Sequence, residues 1–205
     1  LGNGFPHAKL GGRYLQLAAL GTIADMVPLV EGNRILARRG LASLNADASL
    51  PMRRLIEAAK LHNRTLTAYH LGHHLGPRIN AAGRLAHAGL AYELLTCRSE
   101  ERGAALALEL DRLNTQRQND ERRIIEEIRR RIAESRSDRH TLVMGDADWP
   151  LGLTGILAAR ILQELNRYAV VVLSIDASAG IARGSARGVP GLDLHGVLSA
   201  CADLM

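Results

Sequence analysis

Residues 99–135 read SEERGAALALELDRLNTQRQNDERRIIEEIRRRIAES, and this stretch decides how the chain is organised. It contains neither Gly nor Pro after Gly103, and Ser99 followed by Glu100 and Glu101 is typical of a helix start. The spacing predicts one helix, which at about 1.5 Å per residue would be roughly 55 Å long. Such a rod is too long for a compact domain of this size, so we expect it to connect two lobes. Apolar side chains recur along it at three- and four-residue steps, at Leu106, Leu110, Leu113, Ile124, Ile128 and Ile132.

The sequence on either side of this helix has a different character. From Tyr14 to about Thr96, short apolar-periodic segments alternate with turn residues, which predicts a mostly helical lobe. Beyond the helix, residues 141–144 and 169–173 are short apolar runs typical of buried strands, with a helical pattern at 153–165 between them. Residues 180–187 alternate like a further strand, and residues 192–204 have a helical pattern. We therefore predict a small α/β lobe after the long helix.

Composition and charge favour an anionic partner. The chain has 205 residues, 47% hydrophobic and 23% charged, with a formal net charge of +5. Aromatic residues make up only 3%, so base stacking cannot be the main means of holding a nucleic acid, and contacts to backbone phosphates would have to dominate. Cys97 and Cys201 form no CxxC pair, which favours buried thiols in a reducing cytosol. We see no apolar run long enough to span a bilayer and expect no membrane association.

The segment from Gly76 to Arg84, GPRINAAGR, is a candidate anion site. Its two arginines and one asparagine lie among small residues, and planar guanidinium groups bind phosphate bidentately in little space. Pro77 predicts that the segment begins with a turn, and Gly83 predicts a close approach of another backbone. A surface turn with two solvated arginines, Arg78 and Arg84, is the alternative.

Asp25 is a candidate metal ligand. Its neighbours in the stretch LQLAALGTIADMVPL are almost all apolar, and a carboxylate buried there would need a partner or a metal ion. Alternatively, it is a helix-terminal aspartate that binds local backbone. His70, His73 and His74 could meet on one helical face, although polar histidines at a helix end are the simpler interpretation.

Two segments of the second lobe could bind an anion. Ser185 and Arg187 point the same way if they lie on a strand, so a hydroxyl, a guanidinium and the Gly188 backbone could hold one phosphate. The turn from Trp149 to Gly155 precedes a predicted helix, whose N-terminal amides attract anions. An exposed strand edge carrying arginines, and tight packing of helix on sheet, explain these residues equally well.

Taken in order, these motifs resemble one family. The stretch ALGTIADMVPL resembles the fourth motif of DHH-superfamily phosphoesterases of the RecJ type, and GPRINAAGR is similar to the GPRxNAAGR segment of that family. LNTQRQ resembles its connecting helix, and the stretch from Trp149 to Arg160 is similar to WHxGxxGIxAxR of the C-terminal DHHA1 domain. Residues 184–194 resemble its GSxRxxPGxDL strand and turn.

The resemblance implies a domain organisation and a function. Residues 1–98 would be the end of a DHH catalytic domain, 99–136 the long connecting helix and 137–205 a DHHA1-type α/β domain. RecJ-type enzymes are 5′→3′ exonucleases specific for single-stranded DNA that use Mn²⁺ or Mg²⁺ and act in repair and recombination. The implied roles are metal ligation by Asp25, binding of a 5′-terminal phosphate by Ser185 and Arg187, and contact with the strand by Arg78, Asn80 and Arg84.

The resemblance also implies what this chain lacks or changes. We expect the motifs that supply the other metal ligands to precede residue 1 and a glycine-rich GGH motif to follow the last helix. The chain alone would then bind single-stranded DNA weakly without hydrolysing it. Pro150 replaces the usual His, and Ala186 and Gly188 replace the usual Gly and Ser.

Other functions remain open at this stage. A DHH phosphoesterase acting on short oligonucleotides or small phosphorylated nucleotides generally lacks the long connecting helix, and a non-catalytic relative would serve as a binding module. We expect a cytoplasmic monomer, with single-strand-binding protein or a helicase as candidate protein partners.

Overall fold

The structure is a computed structural model that describes residues 11–135, 140–165 and 169–202. Its contacts divide the chain into two compact units, with the boundary between Thr115 and Gln116. The first unit is helical in its described part, and the second contains a small mixed sheet. The predicted α/β class is therefore correct, while the domain boundaries at residues 98 and 136 remain a prediction. Within the described residues, every helix is too short or too polar to cross a lipid bilayer.

The first unit is built from short helices that pack around one apolar core. Gly40 allows the first two helices to cross closely, because a β-carbon at this position would lie 2.2 Å from the carbonyl oxygen of Leu15. The largest side chains of the core include Met52, Leu55, Leu71 and Leu94, which are all fully buried. The helices are α1 (Gly11–Ala24), α2 (Glu31–Ala46), α3 (Leu50–Ala58), α4 (Ala68–His70), α5 (Gly76–Leu85) and α6 (Gly89–Thr96), with a π-helical turn at Leu71–Leu75 between α4 and α5.

The predicted turn at Gly76-Pro77 is wrong, because the chain is helical there. Gly76 has φ −54° and ψ −48°, and α5 follows the π-helical turn directly. A proline inside an α-helix removes one hydrogen bond and its ring collides with the carbonyl four residues earlier. In the π-helical turn the bonds reach five residues instead, as from Gly76 N–H to the Leu71 carbonyl, and this wider turn accommodates Pro77 at the start of α5.

The long helix predicted from the sequence is present as α7, which extends from Glu100 to Ser135. In the first unit, its residues Leu106, Leu110 and Leu113 belong to the apolar core. In the second unit, Ile124 and Ile128 are completely buried. Between Leu113 and Ile124 the apolar pattern is interrupted, and the buried residues there are Asn114 and Glu121. Each half of the helix contributes apolar side chains to the interior of its own unit.

The second unit contains a three-stranded sheet in the order β1-β2-β3, where β1 is Thr141–Asp146, β2 is Ala169–Asp176 and β3 is Ile181–Gly188. β1 and β2 are parallel and are joined through α8 (Thr154–Leu165), as the predicted β-α-β unit requires. β3 is antiparallel to β2 and forms an edge. The last helix, α9 (Leu194–Ala200), is shorter than predicted, and residues 203–204 of that prediction lie outside the described residues.

Ion pairs connect α7 to α8 inside the second unit. Glu121, which is 8% exposed, accepts a bond from Arg117 Nη1 and one from Arg160 Nη1, both at 2.9 Å. Trp149 is buried, and its Nε1–H donates to Glu127 at 3.3 Å. These contacts fix the loop that precedes α8.

The prediction that both cysteines are buried is wrong. Cys97 and Cys201 are free thiols, and both are partly exposed.

Candidate functional site

Asp25 lies at the C-terminal end of α1, where the backbone forms a Schellman motif. Val27 N–H binds the Thr22 carbonyl at 3.2 Å, and Met26 N–H binds the Ile23 carbonyl at 3.1 Å. This motif requires a left-handed residue after the C-cap, and Met26 takes that role with φ 56°. These backbone hydrogen bonds therefore fix the backbone conformation at Asp25.

Asp25 and Asn80 line the same cavity of about 290 Å³ between α1 and α5. Both side chains are exposed, so the sequence-based expectation of a buried carboxylate at Asp25 is wrong. The apolar residues around Asp25 in the sequence belong to α1, which ends just before it, and their side chains form the cavity wall instead. The Asp25 carboxylate makes no hydrogen bond or ion pair with any described residue. The residues that line the cavity are Leu17, Leu20, Gly21, Ala24, Asp25, Ile79, Asn80 and Leu95.

Gly76, rather than Gly83, is the glycine that allows two helices of this site to approach closely. A β-carbon at Gly76 would lie 2.8 Å from the β-carbon of Ala24, next to Asp25 in the sequence. At Gly83 the nearest atom would be the Ala88 β-carbon at 3.8 Å, which is ordinary contact. The sequence alone favours Gly83, because Gly76 precedes a proline and is predicted to lie in a turn.

Arg78 is held inside the first unit. Its guanidinium binds the Asp111 carboxylate at 2.9 Å through Nε and at 2.8 Å through Nη2, and Nη1 donates to the His74 carbonyl at 2.7 Å. Its side chain is 14% exposed. These bonds join α5 to α7 and use three of the five N–H donors of the guanidinium. Arg78 is therefore better placed to position α5 than to hold a strand by itself.

Asn80 and Arg84 lie one helical turn apart on α5, so they share a face. Arg78 and Arg84 are six positions apart and diverge by about 120° around the helix axis. The structure therefore groups Asn80 and Arg84 together and directs Arg78 elsewhere. Arg84 is partly buried.

A divalent cation fits Asp25 chemically but needs further ligands. Mn²⁺ and Mg²⁺ prefer oxygen donors, and an exposed carboxylate on a fixed backbone provides one. Within residues 11–135, 140–165 and 169–202, no three side chains of His, Cys, Asp or Glu come together so that they could hold a metal ion. Asp25 thus fits as one ligand of a set that the described residues do not complete.

The histidines after Thr67 surround a tyrosine instead of forming a metal site. The rings of His70, His73 and His74 have centroids 6.0, 4.6 and 5.7 Å from that of Tyr69. His70 Nδ1 accepts the Thr67 N–H at 3.0 Å, which makes a capping box for α4. Burial lowers the pKa of His74 below its ordinary value of 6.5, and the nearby positive groups lower it further. The interpretation as polar histidines at a helix end is therefore the better one.

In the second unit, Ser185 and Arg187 lie on the face of β3 that packs against α8. A β-carbon at Gly155 would lie 3.3 Å from Arg187 Nη2 and 3.4 Å from Ser185 Oγ. The missing side chain at Gly155 thus leaves space where a guanidinium, a hydroxyl and the first turn of α8 converge. The same short distances also fit tight packing of α8 on β3, so Gly155 is compatible with both interpretations.

The proton positions around Ser185 follow from its neighbour. Thr154 is 1% exposed, and its Oγ1 lies 2.9 Å from the Leu151 carbonyl and 3.2 Å from Ser185 Oγ. A carbonyl can only accept, so Thr154 uses its single proton there and Ser185 donates to Thr154. Thr154 therefore holds the Ser185 hydroxyl in place when no anion is bound, a role that the sequence did not indicate. Arg187 Nη1 donates to the Ala186 carbonyl at 2.8 Å.

Ala186 and Gly188, the two departures from the family pattern on β3, do not block this pocket. Ala186 pairs with Val171 and so lies on the opposite face of the sheet from Ser185 and Arg187. Its methyl group therefore does not enter the pocket. Gly188 ends β3 opposite Ala169, beyond the two polar side chains.

Known proteins resemble the chain over almost its whole length. The single-stranded-DNA-specific exonuclease RecJ of Bacillus subtilis is 36% identical over 202 residues, which is 97% of this chain and 26% of that protein. RecJ of Escherichia coli is 38% identical over 189 residues, covering 90% of this chain and 32% of that protein. The crystal structure of RecJ from Thermus thermophilus in complex with Mn²⁺ superposes with a TM-score of 0.79 at 32% identity, over 97% of this chain and 29% of that one.

The chain is similar to part of RecJ. No protein-family model matches it. A further structure, of exonuclease RecJ bound to manganese, superposes with a TM-score of 0.77 at 31% identity, over 97% of this chain and 49% of that one. This chain spans about a quarter to a third of the length of the curated relatives that it matches. The similarity includes both units.

Proposed function

We propose that this chain is part of a metal-dependent 5′→3′ exonuclease that hydrolyses phosphodiester bonds in single-stranded DNA, acting in DNA repair and recombination. The observation that carries the proposal is the match to RecJ exonucleases across 97% of the chain. The cavity shared by Asp25 and Asn80 supports it, because a carboxylate and an amide that line one cavity can face the same substrate.

Each unit would have its own role. Ser185 and Arg187 bind the 5′-terminal phosphate, with Gly155 keeping the pocket open. On binding, the Ser185 hydroxyl turns its proton from Thr154 Oγ1 to a phosphate oxygen. In the first unit, Asn80 and Arg84 contact the strand from one face of α5. Arg78 contributes mainly through the position of α5, and its remaining N–H donors can bind a phosphate oxygen.

Asp25 would be one ligand of a divalent metal centre that holds Mn²⁺ or Mg²⁺. Such a centre supplies an activated water and stabilises charge on the phosphodiester. The other ligands are not among the described residues, so we expect the purified chain to bind single-stranded DNA without hydrolysing it. Solved structures of RecJ in complex with Mn²⁺ and with Mg²⁺ support this choice of metals.

The continuous helix α7 favours this function over the alternatives. DHH phosphoesterases that act on short oligonucleotides or small phosphorylated nucleotides generally lack such a helix, whereas α7 extends over Glu100–Ser135. A non-catalytic relative that only binds nucleic acid remains the second candidate. It would keep Ser185 and Arg187 while having no need of Asp25.

The proposal includes a cellular setting. We propose a cytoplasmic monomer whose substrate is single-stranded DNA with a 5′ phosphate, working with a single-strand-binding protein or a helicase. The names of the relatives support the substrate.

The test is binding of fluorescent oligonucleotides to the purified chain in the presence and absence of a 5′ phosphate. We expect tighter binding of the 5′-phosphorylated single strand, weaker binding of duplex, and loss of the 5′-phosphate preference in Ser185→Ala and Arg187→Ala. Arg183→Ala is the matched control, because Arg183 lies on the same strand and carries the same charge but lines a different cavity. Arg84→Ala should weaken binding to every strand and flatten its salt dependence.

Several outcomes would contradict the proposal. Equal affinity with and without the 5′ phosphate would remove the role of Ser185 and Arg187. Tighter binding of a mononucleotide than of a ten-nucleotide strand would favour the small-nucleotide phosphoesterase. Release of nucleotides by the purified chain with Mn²⁺ would show that it holds a complete metal centre.

A further inference from the structure

The exposed ring of Tyr69 lies on the same helical segment as Asn80 and Arg84. α4, the π-helical turn and α5 follow one another without interruption from Ala68 to Leu85. His73 lies four residues before Pro77, and Pro77 lies three residues before Asn80, so these positions follow one side of the segment. Tyr69 and His73 are exposed at the N-terminal end of that side, with Tyr69 at 61%.

The π-helical turn explains why the rings cluster. In an α-helix, Tyr69 would face the residues three and four positions later, and a wider turn moves the five-residue neighbour within reach. The observed contacts are with His73, at 4.6 Å and an interplanar angle of 36°, and with His74, at 5.7 Å and 67°. Tyr69 and His73 thus form a tilted pair of rings, while the ring of His74 meets that of Tyr69 edge-on.

The charge around this ring pair suits a strand whose backbone is negative. The positive charges of Arg78 and Arg64 contribute to lowering the pKa of His74, so both arginines are close to the cluster. The Asp111 carboxylate offsets the charge of Arg78, so the exposed side chain of Arg64 supplies the positive charge beside the cluster. An aromatic surface beside positive groups is the combination that proteins use for single strands, since every base has a stackable face.

We infer that Tyr69 and His73 form a stacking surface for a nucleobase of single-stranded DNA, continuing the Asn80–Arg84 face of α5. This inference rests on the proposed function. With only 3% aromatic residues in the chain, stacking adds to phosphate contacts and does not replace them. The site is specific for unpaired bases, because a base inside a duplex has no free face to offer.

The test compares two oligonucleotides that differ only in their bases. Affinities of the purified chain are measured by fluorescence anisotropy, in EDTA, for a ten-nucleotide thymidine strand and for an abasic strand of the same length and charge. Tyr69→Ala should weaken binding of the thymidine strand at least about fivefold and leave the abasic strand unchanged. Tyr69→Phe should bind like the wild type. Tyr92→Ala is the matched control, since Tyr92 is 70% exposed in the same unit without a ring contact among the described residues.

A second variant and a direct signal keep the inference testable if Tyr69→Ala destabilises the fold. His73→Ala removes only an exposed ring and should also weaken thymidine binding selectively. A 2-aminopurine placed in the strand should change its fluorescence with the wild type and less with His73→Ala. Equal losses on the abasic strand, or no loss in either variant, would overturn the stacking role alone. A wild-type chain that binds neither strand would instead contradict the proposed function, and the inference with it.

Discussion

Replacing Gly76 by alanine tests whether the close approach of α5 to α1 forms the candidate site. The new β-carbon would lie 2.8 Å from the Ala24 β-carbon and 3.1 Å from the Leu71 carbonyl oxygen. Carbon atoms in contact prefer about 3.5–4.0 Å. The two helices must therefore separate by roughly 1 Å, which moves Asn80 relative to Asp25.

The free energy follows from two opposing contributions. Overpacking of a tight contact costs about 1–3 kcal/mol. Alanine in place of glycine within a helix gains about 0.5–1 kcal/mol. Gly76→Ala should thus lower the free energy of unfolding by about 1–2 kcal/mol. Gly83→Ala, on the same helix, places its β-carbon in ordinary contact at 3.8 Å. This variant should raise the free energy of unfolding by about 0.5–1 kcal/mol.

The pair of variants isolates packing, because the gain in helix propensity is common to both. Urea unfolding is followed by circular dichroism at 222 nm, which reports the helices, and hydrogen exchange identifies whether protection is lost in α1 and α5. The single Trp149 lies in the second unit and reports that unit separately. In the same preparations, Gly76→Ala should bind single-stranded DNA more weakly, whereas Gly83→Ala should not.

The reasoning would be refuted if Gly76→Ala were as stable as Gly83→Ala. That result would mean that α5 does not pack closely on α1. Loss of stability with unchanged exchange in both helices would place the effect elsewhere. Full affinity for single-stranded DNA in a folded but destabilised Gly76→Ala would separate the helix contact from the site.

Two further predictions concern the same unit. Burial lowers the pKa of His74, so the unfolded chain binds more protons than the folded one as the pH falls below about 6.5. The urea midpoint of unfolding should therefore fall below that pH, and it should fall less in His74→Gln. A wild-type midpoint that stays constant down to about pH 5.5 would contradict this. Met26→Gly should raise the free energy of unfolding by about 0.5–1 kcal/mol, because Met26 has a left-handed backbone and its side chain is 87% exposed. Met26→Ala should not raise it. Equal stabilities of Met26→Gly and the wild type in calorimetry would exclude strain at the Schellman motif.

Periodic segments were the part of the fold that the sequence could predict. The long helix α7 and the β-α-β unit are repetitive patterns of apolar residues, and burial of one face enforces them whatever the neighbours are. The direction of Ser185 and Arg187 followed for the same reason, since alternate residues of a strand share a face. Their convergence on Gly155 required the packing of α8 on β3.

The failures lie where a local rule competes with a tertiary contact. Pro77 favours a turn in isolation, but the π-helical turn before it removes the conflict and α5 packs on α1. Asp25 has apolar neighbours in the sequence, which predicts burial, yet α1 ends at Ala24 and leaves it exposed. Arg78 and Arg84 are alike in sequence, but Arg78 binds Asp111 of α7 and the His74 carbonyl, whereas Arg84 shares a face of α5 with Asn80.

The sequence by itself determined the long helix, the β-α-β unit and the motifs that resemble RecJ, because these depend on periodicity and on residue type. The tertiary structure alone decided which groups meet: Asp25 with Asn80, Gly76 with Ala24, Ser185 with Thr154, and Tyr69 with three histidines. The physical reason is that hydrophobic burial follows local pattern, whereas contacts between polar side chains depend on distances of a few ångströms between segments far apart in the chain.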